Sequence, residues 1–480
     1  MPLRRPLMSC LAACAAAAGM AGCMGVPIPP LDRSVPAAWS EADPALALPA
    51  GPDLRTWWTA FNDPALNTLV DQALAQNLTL AEAGSRVRQA RQLSQGVTSS
   101  FLPSLSAGTR SVQPPSAQDT YLQGSLDAIW DLGLFGAREG ATQRYRGGID
   151  LALAEEQAAR VTVVAEVVRH YLDLRAAQEQ LAQGQAQLRL DARSLALIDA
   201  RIDHRLAAAG ERDAVALRQA RTRASLADPM AAQSAAAHSL AALLGQTRPD
   251  PAWMSPAGQP ALAVRSIAQV PADLLRVRPE IRRAEADVAQ AAGELGIARS
   301  ELYPRVALGA SYLVSYNLTR SPRSRFNTGV AAGPIIDLPL FDWGRRQAGA
   351  AAKREALDAA VTAYRQAVLE GVADVEIALA ALQFQTERVA QLEDARQTVA
   401  RQRSTHQSLV GLGLASDFDG LDDQQGALSA DQDLVVARAR RNLAFVTLYK
   451  ALGGAPLPMD GAATPPPDAA SPPPHDEAAS

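Results

Sequence analysis

The sequence predicts a mainly α-helical chain with a small β part, built as a tandem repeat of long coiled-coil helices and two hairpins. Three observations predict it. The chain answers itself at an offset of about two hundred residues. Its longest segments carry apolar residues three, four and seven apart. Two short regions between them switch to strict alternation.

With 480 residues the chain can bury a large core without covalent staples. Basic residues number 46, acidic residues 50, and the net charge is −4. The two signs are interspersed, so nucleic acid is not an expected partner. Alanine-rich runs such as Ala231 to Ala237 favour helix and let neighbouring helices approach closely.

Residues 1–22 read as a signal peptide, in which Arg4 and Arg5 precede an apolar stretch from Leu7 to Met20. Met20-Ala21-Gly22-Cys23 resembles the acylation site of bacterial lipoproteins, which makes Cys23 the expected lipidated residue; Leu11-Ala12-Ala13-Cys14 is a second candidate. All three cysteines, Cys10, Cys14 and Cys23, lie here, so no disulfide is expected after processing. Met24, rather than Asp, follows Cys23 and points to the outer membrane. No later run reaches the roughly 20 apolar residues of a membrane-spanning helix. Residues 23–62 read as a lipidated N-terminal segment and part of a belt, with Trp57-Trp58 as packing residues.

The first repeat spans 63–246 and the second 273–454, joined by a Pro- and Ala-rich linker, 247–272, that reads as an equatorial belt. Residues 77–103, ending Ser100-Phe101-Leu102-Pro103, match 278–304, ending Glu301-Leu302-Tyr303-Pro304. Leu134-Phe135-Gly136 answers Leu340-Phe341-Asp342, the Gly210 region answers Gly413, and Leu243-Leu244-Gly245 answers Ala451-Leu452-Gly453. Val167, Leu174, Leu181, Leu188, Leu195 and Ile202 recur every seven residues, a coiled-coil stripe with Ala177 and Ile198 among the partner positions. The counterpart carries Leu357, Val361, Tyr364, Val368, Val372, Val375, Leu379 and Leu382. Neither Pro nor a capping cluster interrupts 138–206 or 344–409, and about 65 residues at 1.5 Å each make rods of about 100 Å. Tips are expected at 207–212 and 410–416, with Gly210 and Gly413 in the turns, and each tip returns into a shorter helix. The Pro-rich residues 455–480 read as a disordered tail.

Hairpins are expected at about 102–134 and 304–340. Leu122, Leu126, Ala128, Trp130 and Leu132 alternate with Gln123, Ser125, Asp127 and Asp131; Val306, Leu308, Ala310, Tyr312, Val314 and Tyr316 alternate with Arg305, Gly309, Ser311 and Ser315. About 12 residues per strand, tilted by about 45°, rise about 28 Å, the height of an apolar barrel band. Four strands cannot close a barrel, whose minimum is about eight, and open edges are not tolerated in lipid. Strands that face lipid must therefore be pooled among identical copies, and three copies give twelve; the alternative reading of the same pattern is a soluble hairpin packed on helices. Tyr121, Trp130, Tyr303, Tyr312 and Phe326 fall where aromatic girdles are expected.

Several runs carry a resemblance: Trp57-Trp58 with Phe61, Asp63-Pro64, Leu66, Leu69 and Asn77; Arg278-Pro279-Glu280-Ile281 with Ala284-Glu285, Ala298 and Pro304; and Phe341-Asp342-Trp343-Gly344-Arg345. Over roughly residues 40 to 455 the chain resembles the TolC-like outer-membrane factor family, in its NodT-type lipoprotein branch. It departs from the family pattern at Gly133, where an Asp is usual. The resemblance implies a homotrimer with a twelve-stranded barrel in outer-membrane lipid and a helical tunnel in the periplasm. It further implies partnership with a periplasmic adaptor and an inner-membrane pump that expel small molecules. Alternatives of other kinds are a channel for type I protein secretion and a non-conducting coiled-coil scaffold.

Enzyme chemistry is not expected. His170, His204, His238, His406 and His475 lack metal spacing, no phosphate loop or nucleophile elbow occurs, and neither cofactor nor metal is expected. Gly411 to Ser416 lacks the strand that a dinucleotide loop requires. At the second tip, threefold repetition would gather Asp417 or Asp419 into an acidic constriction, with Leu412 or Leu414 as an apolar ring. Ser416-Asp417-Phe418-Asp419 equally reads as a helix cap. Family resemblance adds that adaptor hairpins approach the tips at Gly210 and Gly413.

Overall fold

The computed structural model describes residues 25–31, 39, 53–112, 121–262, 278–318, 326–416, 418 and 420–457. The signal peptide, Cys23 and Cys14, part of the linker, the tail, Asp417 and Asp419 lie outside them. Among the described residues the chain is mainly helical with one four-stranded sheet.

After a 3-10 turn at Trp57–Phe61, α1 (Pro64–Gln76) starts where the Asp63 carboxylate accepts from the Ala65 and Leu66 amides at 2.9 and 3.3 Å. Asn77 ends α1 and caps α2 (Leu78–Ser100), accepting from the Leu80 amide at 3.1 Å. Strands β1 (Ser104–Val112) and β2 (Tyr121–Asp131) follow, then α3 (Ala137–Asp203) with 67 residues. The chain returns through α4 (Ala209–Ser225) and α5 (Ala227–Leu243), whose last carbonyl, at Leu243, accepts from Asn77 Nδ2 at 2.8 Å. The end of α5 thus meets the junction of α1 and α2.

The second repeat comprises α6 (Pro279–Ser300), β3 (Arg305–Asn317), β4 (Phe326–Asp337), α7 (Arg345–Gly411), again 67 residues, and α8 (Gly420–Ala451). Helices of that length are about 100 Å long. Each begins after a left-handed pair, Phe135 (φ 56) and Gly136 (φ 88) before α3, Trp343 (φ 58) and Gly344 (φ 79) before α7. The backbone therefore matches Phe135-Gly136 with Trp343-Gly344. This corrects the match of that corner to Phe341-Asp342, because the left-handed pair that turns the chain into the helix lies two residues later in the second repeat.

The repeats dock through α3 against α6 and α8. Gly140 and Gly293 permit this: a Cβ on Gly293 would lie 2.4 Å from the Arg144 amide nitrogen, and one on Gly140 would lie 2.8 Å from the Gly293 carbonyl oxygen. Aromatic residues close the middle of the rod, where Trp57 stacks on Tyr449 at 5.3 Å and its indole donates to the Gly454 carbonyl at 3.0 Å. The linker is strapped across the helices. Gln178 donates to the Trp253 carbonyl at 2.8 Å and Gln259 to the Val435 carbonyl at 2.9 Å.

Two local expectations differ from the structure. Val167, Leu174 and the partner positions Ala177 and Ile198 are buried, but Leu181, Leu188, Leu195 and Ile202 are half-buried; Gly184, Gln187, Asp191 and Ser194 face inward instead. The buried set of the lower half still repeats every seven residues, at Ala177, Gly184, Asp191 and Ile198, but on the face that meets α4 through Arg218 and α8 through Gln425. Gly210 is not in a turn but is the second residue of α4. The left-handed position belongs to Arg205 (φ 60), with Leu206 N–H donating to the Arg201 carbonyl at 2.7 Å and closing the end of α3.

Candidate functional site

The strand order is β1-β2-β3-β4, antiparallel throughout, so β1 and β4 are the outer edges within one chain. Register assigns the faces, because opposed residues share a side and neighbours alternate. Leu126 opposes Ala107, Tyr312 opposes both Leu126 and Val330, and Leu308 opposes Trp130. With Leu105, Leu122 and Ile336 they form an apolar face that is exposed in the single chain. Tyr312 thus sits mid-strand rather than in a terminal girdle, and Tyr303, before β3, stacks on Phe135 at 5.2 Å.

The opposite face is polar. Asp127 accepts from the Ser125 and Ser311 hydroxyls at 2.7 and 2.5 Å, Arg110 donates to Gln123 at 3.0 Å, and Arg305 pairs with Asp131 at 2.8 Å. Tyr121, Ile129, Leu313 and Ile335 are among the exceptions on this side. A sheet with one greasy and one wet face can separate lipid from water, provided its edges are paired. No helix among the described residues is long and apolar enough to cross a membrane.

At the far end of the rods Gly413 holds the left-handed position (φ 73) of the second turn, with Leu414 N–H donating to the Leu409 carbonyl at 2.9 Å. Leu412 and Leu414 are exposed there. The Arg201 guanidinium lies 3.9 Å from the Phe418 ring and joins the two tips. His406 lies 3.4 Å from both the Asp423 carboxylate and the Ser416 carbonyl. Higher up, Gln187 and Gln425 exchange hydrogen bonds of 2.6 and 3.0 Å, and Arg218 pairs with the buried Asp191 at 2.7 Å. None of these contacts was foreseen, since their partners are far apart in sequence and form no motif. In the central section Tyr171 donates to Asp63 at 2.6 Å; burial pushes its hydroxyl up to about 12, so it stays a donor. No group of residues that could hold a metal ion occurs among the described residues.

A two-faced sheet mounted on paired helices of this length can separate lipid from water once its edges are paired. The chain belongs to the outer membrane efflux protein family, matching it over residues 69–246 and 270–454, and is a TolC-like factor of NodT type. Nodulation protein T of Rhizobium leguminosarum bv. trifolii is 27% identical over 434 residues, 88% of this chain and 90% of that protein. The pyoverdine export outer membrane protein OpmQ of Pseudomonas aeruginosa is 29% identical over 433 residues, covering 84% and 88%. The solved structure of the outer-membrane channel OprN superposes with a TM-score of 0.76 at 28% identity, covering 91% of this chain and 100% of that one. The chain is an outer-membrane efflux channel component.

Proposed function

We propose that three copies form a passive duct that carries small molecules from a periplasmic adaptor and inner-membrane pump to the exterior. The observation that carries this reading is the two-faced sheet left open at β1 and β4. Lipid would strand the unpaired amides and carbonyls of those edges, whereas twelve pooled strands close a barrel within the known range. The apolar face then meets lipid and the face bearing Asp127, Asp131 and Arg305 lines the pore. The helical rods extend the duct into the periplasm, and energy comes from the pump.

Acylation at Cys23 fits this orientation. Gly25, two residues later, lies beside Glu139 near the start of α3, where a Cβ on Gly25 would come within 2.9 Å of Glu139 Cγ. The adjoining Val26 is buried. This fixed point adjoins the corner between sheet and rods, the level of the inner leaflet, and favours Cys23 over Cys14 as the anchor. At the periplasmic mouth, Leu412 and Leu414 with Asp417 and Asp419 form the constriction, and the tip segments around Gly210 and Gly413 meet the adaptor.

The test is conductance of the purified, acylated protein in planar bilayers. The duct predicts stepwise currents, altered in cation preference by Asp417→Ala or Asp419→Ala if those acids form the constriction. A protein that leaves bilayers sealed contradicts the duct; unchanged selectivity in both variants removes the acidic constriction alone.

A further inference from the structure

All five charged residues of the four strands, Arg110, Asp127, Asp131, Arg305 and Asp337, lie on the wet face, and they are not spread evenly along it. Where the sheet meets the rods, a cavity of about 680 Å³ is lined by Asp131, Glu301 and Asp337 together with Arg305, Arg345 and Arg346. Acids and bases are mixed at this level and offset one another.

Farther from the rods two charges stand apart. Asp127 opposes Ser106 on one side and Ser311 on the other, and its carboxylate accepts from the neutral hydroxyls of Ser125 and Ser311. Arg110 donates to the neutral amide of Gln123, which opposes Ser315. Among the described residues neither charge is met by one of opposite sign within ion-pair distance. The step from Ser311 to Ser315 separates the two levels by about 14 Å along the strand, or about 10 Å along the axis of a barrel whose strands tilt by about 45°. Asp127 lies nearer the rods and Arg110 nearer the hairpin ends.

We propose, resting on the duct reading above, that the barrel wall is charge-ordered and filters cargo by net charge. Three copies make an acidic ring at Asp127 and, on its outer side, a basic ring at Arg110. Twelve strands about 4.8 Å apart at that tilt enclose a cylinder about 26 Å across between backbones. Side chains narrow it, so the axis lies about one Debye length from both rings, about 10 Å at 0.1 M salt. A cation is held at the first ring and repelled at the second, and an anion meets the reverse. A small molecule without net charge, neutral or zwitterionic, crosses both without that barrier. The basic ring also resists cations arriving from outside.

Two measurements on the full chain test this. Ser106→Cys reads the acidic level and Ser315→Cys the basic one, with the parent protein as blank. At 0.01 M salt the preference for a cationic over an anionic methanethiosulfonate should be about tenfold greater at the first thiol than at the second, and it should fade at 1 M, where the Debye length is about 3 Å. Across a planar bilayer holding a salt gradient, the zero-current potential should shift toward cation selectivity in Arg110→Gln and away from it in Asp127→Asn, with Arg110→Lys like the parent. Equal reagent preference at the two thiols, or potentials that neither substitution moves, overturn the charge filter and leave the duct standing. Bilayers that the parent protein leaves sealed overturn both.

Discussion

Arg278 and Asp374 meet at 2.9 Å although one opens α6 and the other lies midway along α7. The same guanidinium donates to the Gly371 carbonyl at 2.9 Å. The Arg278 side chain is buried while that of Asp374 is exposed, so solvent screens the pair and the geometry of the buried donor matters more than the charge it meets. Arg278→Ala is expected to destabilise the fold by about 2 kcal/mol and Asp374→Ala by under about 1 kcal/mol. Urea unfolding of both variants checks the order; equal losses contradict it.

The α3–α6 crossing predicts a contrast between glycines. Gly293→Ala places a methyl group inside backbone contact and should cost at least about 1–3 kcal/mol. Gly148→Ala meets nothing within 4 Å and should stabilise α3 by about 0.5–1 kcal/mol. Denaturation midpoints moving in opposite directions support the packing account.

Asp191 is fully buried, accepts from Arg218 and Gln187 at one oxygen, and has no hydrogen-bond partner at the other. Removing the cation leaves a buried carboxylate without its charge partner, whereas neutralising the acid does not. Arg218→Ala should therefore cost about 3 kcal/mol and Asp191→Asn clearly less. The reverse order in thermal unfolding argues against an ionised pair at this site.

His170 gives a pH dependence. Burial, then the adjacent Arg169, lower its affinity for a proton below the ordinary value of 6.5, opposed by Glu166 and Asp173. The unfolded chain then binds the proton more readily, so stability is lost as pH falls below about 6.5 toward the folded value. Asp173, raised chiefly by burial, works in the opposite sense at lower pH. Melting temperatures at pH 7.5 and 5.5 should differ less in His170→Gln than in the parent. Identical differences exclude His170 as the source.

The fold class is legible in the sequence because both periodicities are local: three-to-four spacing in the rods and alternation in the strands need only neighbouring residues. The faces of the sheet follow from the same alternation. The turn before α4 is not legible, since Arg205 takes a conformation that glycine usually takes and Gly210 sits in helix. Nor are Gln187 with Gln425 or Arg201 with Phe418, which helix docking brings together. The seam of lower α3 keeps a seven-residue period but lies on the face that α4 and α8 cover, which depends on tertiary docking and not on the leucine stripe.

Counting the copies in the detergent-extracted particle by native mass spectrometry addresses the central claim, that the open sheet is completed by identical chains. Three chains per particle are expected. A particle of one chain would leave β1 and β4 unpaired in the membrane and would contradict the account.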